Sequence, residues 1–216
     1  MSSKSILFFT ILFGFFLGCS DSSTEPETQK VTIDSLFPLK IGNSWSVQVK
    51  EYSKSTGMLS GTDTTDILVT GNTTFKGLSA FSATFDGDPG VIYKSGNDLY
   101  FVDMPSGFQQ LVARYPMTIG QTDKVIDTLV DATRTRVFFK LLSSNESVTV
   151  PAGTFSTYHF QEIDLSGKAE PLDTLGITNT YFTPGTGFIR QTIFEPGEGS
   201  VLKLTTDVGM IKYTSK

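Results

Sequence analysis

From about residue 44 onward the chain alternates. Trp45, Val47 and Val49 are apolar, with polar Ser46, Gln48 and Lys50 between them, the period-two pattern of a strand with one buried face. Phe81, Ala83 and Phe85 share a face in the same way, and Ile67 and Val69 follow the polar lead-in GTDTTD. VIYKSGNDLYFVD (91–103) predicts a hairpin turning at Ser95-Gly96-Asn97-Asp98, residues that favour tight turns. RVFFKLL (136–142) is apolar on both faces and predicts a central strand. SVTVPAGTFSTYHFQEIDL (147–165) predicts a second hairpin, with Pro151 and Gly153 at positions that suit a type I turn. On its returning strand Tyr158 and Phe160 face one way, His159 and Ile163 the other. ITNTYFTPGTGFIRQTIFE (177–195) breaks at Pro184-Gly185-Thr186-Gly187, and SVLKLTT and VGMIKYT close the chain. No stretch beyond the N-terminal segment has helical spacing. The pattern predicts an all-β fold of roughly eleven to thirteen antiparallel strands in one domain. Successive hairpins point to a strongly curved or barrel-like sheet, with a β-sandwich as the alternative.

The N-terminus follows another rule. After Lys4 the chain is apolar from Ile6 to Leu17. That length matches a signal-peptide core of roughly 7–15 residues and falls short of the roughly 20 needed to span a bilayer. The run ends Phe16-Leu17-Gly18-Cys19 and turns polar at once, at the only cysteine of the chain. This junction resembles the lipobox of bacterial lipoproteins, in which a small residue precedes an obligatory cysteine. The resemblance implies cleavage after Gly18, diacylglyceryl transfer to the Cys19 thiol and acylation of the new amino terminus. Leu usually stands three residues before that cysteine; here Phe16 does, and Leu17 follows. SDSSTEPETQK (20–30) has no aliphatic or aromatic side chain and reads as a flexible tether, because it cannot bury enough surface to offset its ordering entropy. Ser20 after the cysteine resembles the outer-membrane sorting signal of Gram-negative lipoproteins. The expected organisation is therefore a signal peptide (1–18), a lipidated Cys19 with its tether (19–30) and a β domain (31–216), held in the bacterial envelope through a membrane anchor.

Charge changes the picture by exclusion. The 216 residues carry a formal charge of −5, and only Lys4 is ionised within residues 1–18, so processing makes the chain more acidic still. An acidic chain without basic clusters excludes nucleic acid as an expected partner. Acylated Cys19 leaves no thiol for a disulfide, so packing alone must hold the domain. Five of the 18 phenylalanines (Phe8, Phe9, Phe13, Phe15, Phe16) belong to the signal; the rest suffice for a β core without invoking a ligand.

Three further stretches together resemble a broad group of uncharacterised bacterial lipoproteins and secreted β-proteins: FPLKIGNSW (37–45), VPAGTF (150–155) and YFTPGTGFIR (181–190). The resemblance implies fold and location and no activity. Each stretch also has a structural reading: Pro38 at a strand edge, Gly42-Asn43 as a tight turn and Trp45 as a core residue whose N–H needs a partner.

Catalytic chemistry is thin. GLSAF (77–81) lacks the last glycine of a nucleophile elbow. The single histidine, His159, sits mid-strand and cannot build a zinc site alone. DGDPG (86–90) lacks the spaced ligands of a calcium loop and reads as a turn. There is no P-loop and no dinucleotide fingerprint. Glu162 and Asp164 alternate on one strand face, about 6.6 Å apart at their bases, near the range of inverting glycosidase pairs. The sequence thus predicts no catalytic, cofactor-binding or metal residue, and assigns only Cys19 and Gly18. The leading expectation is a non-catalytic binding or structural module with an envelope protein, glycan or lipid as partner. The alternatives are a carrier with an apolar cavity and a carboxylate-dependent glycan hydrolase.

Overall fold

A computed structural model describes residues 31–216, which form one compact unit, Val31–Lys216. Cys19, Gly18, the signal and the tether lie outside the described residues.

One helical turn, α1 (Ile33–Leu36), precedes twelve strands: β1 (Ser44–Tyr52), β2 (Leu59–Phe75), β3 (Leu78–Phe85), β4 (Asp88–Ser95), β5 (Asp98–Asp103), β6 (Gln109–Arg114), β7 (Thr122–Val130), β8 (Thr133–Val150), β9 (Gly153–Gly167), β10 (Asp173–Thr183), β11 (Gly187–Pro196) and β12 (Leu202–Thr214). Every neighbouring pair is antiparallel, and all belong to one sheet ordered β6-β5-β4-β3-β2-β1-β12-β11-β10-β9-β8-β7. The single continuous sheet removes the two-sheet sandwich from consideration.

The order forces the sheet to curl. The first and last strands pair in its middle, while β6 and β7, consecutive in the chain, form its opposite edges. Strands spaced about 4.8 Å apart would put the edges of a flat twelve-stranded sheet roughly 50 Å apart. Only residues 115–121 join them, and fully extended chain from Arg114 to Thr122 reaches about 29 Å at most. The edges must therefore approach, and they do: Arg114 Nη1 lies 3.1 Å from Asp123 Oδ2, and Gly120 N–H donates to Leu141 C=O at 2.8 Å. No strand ladder joins β6 to β7, so the rolled sheet keeps an open seam.

Several local expectations are revised. GTDTTD is part of β2, pairing β1 from Ser46↔Asp66 to Glu51↔Gly61; its residues are exposed or half-buried, and the ladder rather than burial holds them in the strand. RVFFKLL lies in β8, next to the edge strand β7 rather than central, and its inward residues Phe139 and Leu141 are buried. SVLKLTT and VGMIKYT are one strand, β12. Helix α1 is too short to show a period. It is fixed by a capping box between Thr32 and Ser35 and buries Ile33 and Leu36.

Two of the recognised stretches meet at Trp45. Its indole is fully buried, stacked on Phe37 at 4.5 Å and on Tyr213 at 5.3 Å. Its Nε1–H donates to Thr186 C=O at 2.7 Å. Gly187, at φ +91°, lies so close that a Cβ there would come within 3.1 Å of both Phe37 and Trp45. The glycine of TPGTG is thus required by conformation and by space. Asn43 Nδ2 donates to Pro38 C=O (2.7 Å) and Tyr213 Oη (3.2 Å) and pins the opening turn to the last strand. The third stretch, the VPAGTF turn, docks on β12 through Ala152 N–H to Met210 C=O at 3.0 Å.

Candidate binding cavity

Alternation decides what faces the inside of the curl. Val47 and Val49 of β1, Val208 of β12 and Phe182 of β10 meet Phe101 of β5 and Val112 of β6 across a cavity of about 210 Å³. Both halves of the sheet contribute, so the cavity exists only because the sheet rolls. Phe85 also faces it, and Gly90 makes room for that ring: a Cβ at Gly90 would lie 2.1 Å from Phe85 Cε2. The polar lining groups are few, Thr65, Thr180, Gln110 and Gln191 among them.

A second chamber of about 280 Å³ opens at the seam, between Phe108, Gln110 and Leu111 on one edge and Val125 and Ile126 on the other, with Glu162 and Asp164 as its floor. A third, about 350 Å³, lies beside Phe85, Phe101 and Phe108. Gln110 borders all three. Each chamber alone is near or below the roughly 300 Å³ at which small-molecule pockets begin. A slender ligand suits them better than a bulky one.

The floor carries the perturbed electrostatics. Glu162 is pushed up to about 7, first by burial, then by the Asp164 charge, with a Gln110 hydrogen bond acting the other way. Burial also raises Asp164. Neither carboxylate makes an ion pair among the described residues. At the edge of the same seam Tyr100 is pushed up to about 12 by burial and by the Asp98 carboxylate to which its hydroxyl donates.

His159 lies on the opposite face of β9. Its Nδ1 is 2.6 Å from Glu146 Oε2, its Nε2 3.0 Å from Asn179 Oδ1, and its ring packs on Tyr181 at 4.3 Å. Gln161 donates to the same Asn179 oxygen, and Asn179 donates to Thr192. Both imidazole nitrogens are engaged, so His159 knits β8, β9 and β10 together. Ser79 of GLSAF is exposed on β3, and Asp86-Gly87 form a hairpin turn with φ of +55° and +86°. Sequence reasoning found Glu162 and Asp164 by their alternation. It missed Gln110 and the seam, which carry no local signal.

No family model matches the chain, and neither does any curated protein. Solved structures do. A crystal structure of a protein described as exported, with a YmcC-like fold, from Bacteroides fragilis superposes with a TM-score of 0.50 at 14% identity, covering 83% of this chain and 99% of that one. The likeness is one of fold. A second, described as a lipoprotein from Parabacteroides distasonis, has a TM-score of 0.49 at 14% identity, covering 86% of this chain and 100% of that one.

Proposed function

We propose that this chain is an envelope protein, held to a membrane by acyl chains on Cys19, whose rolled sheet binds a slender apolar molecule. The observation that carries the reading is the cavity between Val47, Val49, Val208, Phe182, Phe101 and Val112. An apolar void of this kind is destabilising unless filled, because its lining atoms lose dispersion partners. Apolar ligands enter such voids readily. The lipobox-like junction at Gly18-Cys19, and the exported protein that shares the fold, support the envelope setting. Ser20 favours the outer membrane.

Binding is favoured over hydrolysis by the walls around the floor. Phe108, Leu111, Val125, Ile126 and Val137 are apolar and offer a sugar's hydroxyls no hydrogen-bond partners, where a glycan site needs several placed polar groups.

The test is to purify the full-length protein from its own membranes in mild detergent and identify co-purifying molecules by native mass spectrometry. A bound apolar or amphiphilic species is expected in wild type. Val208→Phe, which adds a ring into the cavity, is expected to lose that species while keeping its melting temperature. A wild-type protein with an empty cavity overturns the reading.

A further inference from the structure

We propose that the seam chamber is a head-group site for a cationic amphiphile, with an ammonium group between Glu162 and Asp164 and an alkyl chain running past Gln110 into the apolar cavity. The inference rests on the binding reading above and specifies the ligand's chemistry.

On an open surface two alternating carboxylates would be a solvated acidic pair and nothing more. What makes a site of them is the cavity they close. Both line the seam chamber, and its other walls are the apolar Phe108, Leu111, Val125, Ile126 and Val137 with the uncharged polar Tyr100, Gln109 and Gln110. Lys140, beside the Phe139 that pairs with Glu162, alternates to the other face of the sheet, and the cations around the seam are engaged. Arg114 binds Asp98 and Asp123, Arg136 binds Asp127 and Glu170, and Lys124 and Arg134 bind Asp127. Once Glu162 is ionised, above about pH 7, the floor therefore holds negative charge that no described residue neutralises. A buried carboxylate without a cation is unfavourable, and one cation set between two of them relieves both.

An anion is excluded by sign. A protein-ligated metal is a poor fit, because no group of three or more metal-ligating side chains occurs among the described residues. A neutral head would satisfy hydrogen bonds and leave the charge unmatched. The ammonium carries a charge and three donors, and Gln110 offers a further polar contact at the junction between chambers. Access is built in, because the β6 and β7 edges are unladdered and Phe108 (66% exposed) and Ile126 (45% exposed) stand at the mouth. Those two side chains are apolar surface that an entering alkyl chain would cover.

Binding of such a ligand requires ionised carboxylates. Among the groups facing the floor, Tyr100 of β5 donates to Asp98, Gln109 and Gln110 of β6 do not titrate, and Asp123 of β7 is held by Arg114. On β8 Val137, and on β10 Thr178, opposite Glu162, carry no charge. The pH dependence therefore belongs to Glu162 and Asp164. Glu162 titrates at about 7, while a primary amine stays charged to roughly 10. Affinity for the amine is thus expected to rise from pH 6 to pH 8.5.

Hexylamine, hexanol and hexanoate share a tail and differ in the head. Each is titrated calorimetrically into full-length protein in nanodiscs, with empty nanodiscs as the blank. Hexylamine is expected to bind at least tenfold tighter than hexanol at pH 8, with the gap narrowing at pH 6, and hexanoate weakest. In Glu162→Gln/Asp164→Asn the preference for the amine is expected to vanish while hexanol still binds, with the melting temperature equal to or above wild type. If hexanol binds and hexylamine is no tighter, the head-group site is wrong and the cavity reading stands. If none of the three binds, the cavity reading itself fails. Calcium chloride that binds at the floor and excludes hexylamine also overturns the amine assignment.

Discussion

Two residues set the opposite characters of this molecule. Trp45 has a fully buried ring and a satisfied N–H, and truncation of such a residue typically costs 3–5 kcal/mol. Trp45→Ala is expected to unfold the domain or lower its unfolding free energy, read by urea denaturation, by that order. Trp45→Phe, which keeps a ring against Phe37 but loses the bond to Thr186 and part of the buried indole, is expected to cost about 2–3 kcal/mol. Glu162 works against the fold. Its carboxyl is raised from 4.5 to about 7, so between those values the native state holds more protons than the unfolded chain, and stability falls as pH rises. The shift corresponds to roughly 3 kcal/mol lost from pH 4.5 to above 7. Glu162→Gln is expected to flatten that stretch of the stability–pH curve, as chemical denaturation at several pH values measures.

At the scale of elements, one side chain bridges the two edges of the seam directly. Arg114 donates through Nε and Nη2 to Asp98 at 2.6 and 2.7 Å, and through Nη1 to Asp123 on the facing edge. All three side chains are largely shielded from solvent, with Asp98 at 14% exposure. Removing the guanidinium leaves two half-buried carboxylates facing each other. Arg114→Ala is expected to cost about 1–3 kcal/mol and to speed amide exchange in β6 and β7 more than in β1 or β12. Equal protection in all four strands of the variant would show that the connection 115–121 alone holds the curl.

For the whole molecule, topology and anchor combine. A sheet whose edges must approach encloses space between its halves, and the proposed anchor would give that space access to amphiphiles. The strength of the proposed anchor would follow chain-length arithmetic: one acyl chain binds marginally, at about 0.8 kcal/mol per buried CH₂, and two or more hold firmly. Cys19→Ala is expected to leave an unprocessed precursor lacking acyl groups, seen by gel mobility and mass spectrometry of the amino terminus. A variant that fractionates and migrates as wild type does would remove the membrane from the proposal.

Alternation by itself determined the strands, because side chains on a pleated ribbon have a period of two that solvent reads directly. It gave the hairpins at 95–98 and 151–153 and the burial of Trp45, and it set Glu162 and Asp164 on one face. It did not reveal that β2 takes in GTDTTD, because a ladder satisfies the backbone of polar residues as well as apolar ones. Nor did it show which strand would be central, since RVFFKLL is apolar on both faces yet lies beside an edge. Only the tertiary structure decided that β1 pairs with β12, that seven residues must bridge opposite edges, and that Gln110 from one half stands over Glu162 from the other. Those partners lie far apart in sequence, and the sheet order that joins them has no local code. Local periodicity records which face is wet; the curl that turns a dry face into a cavity is a property of the whole rolled sheet.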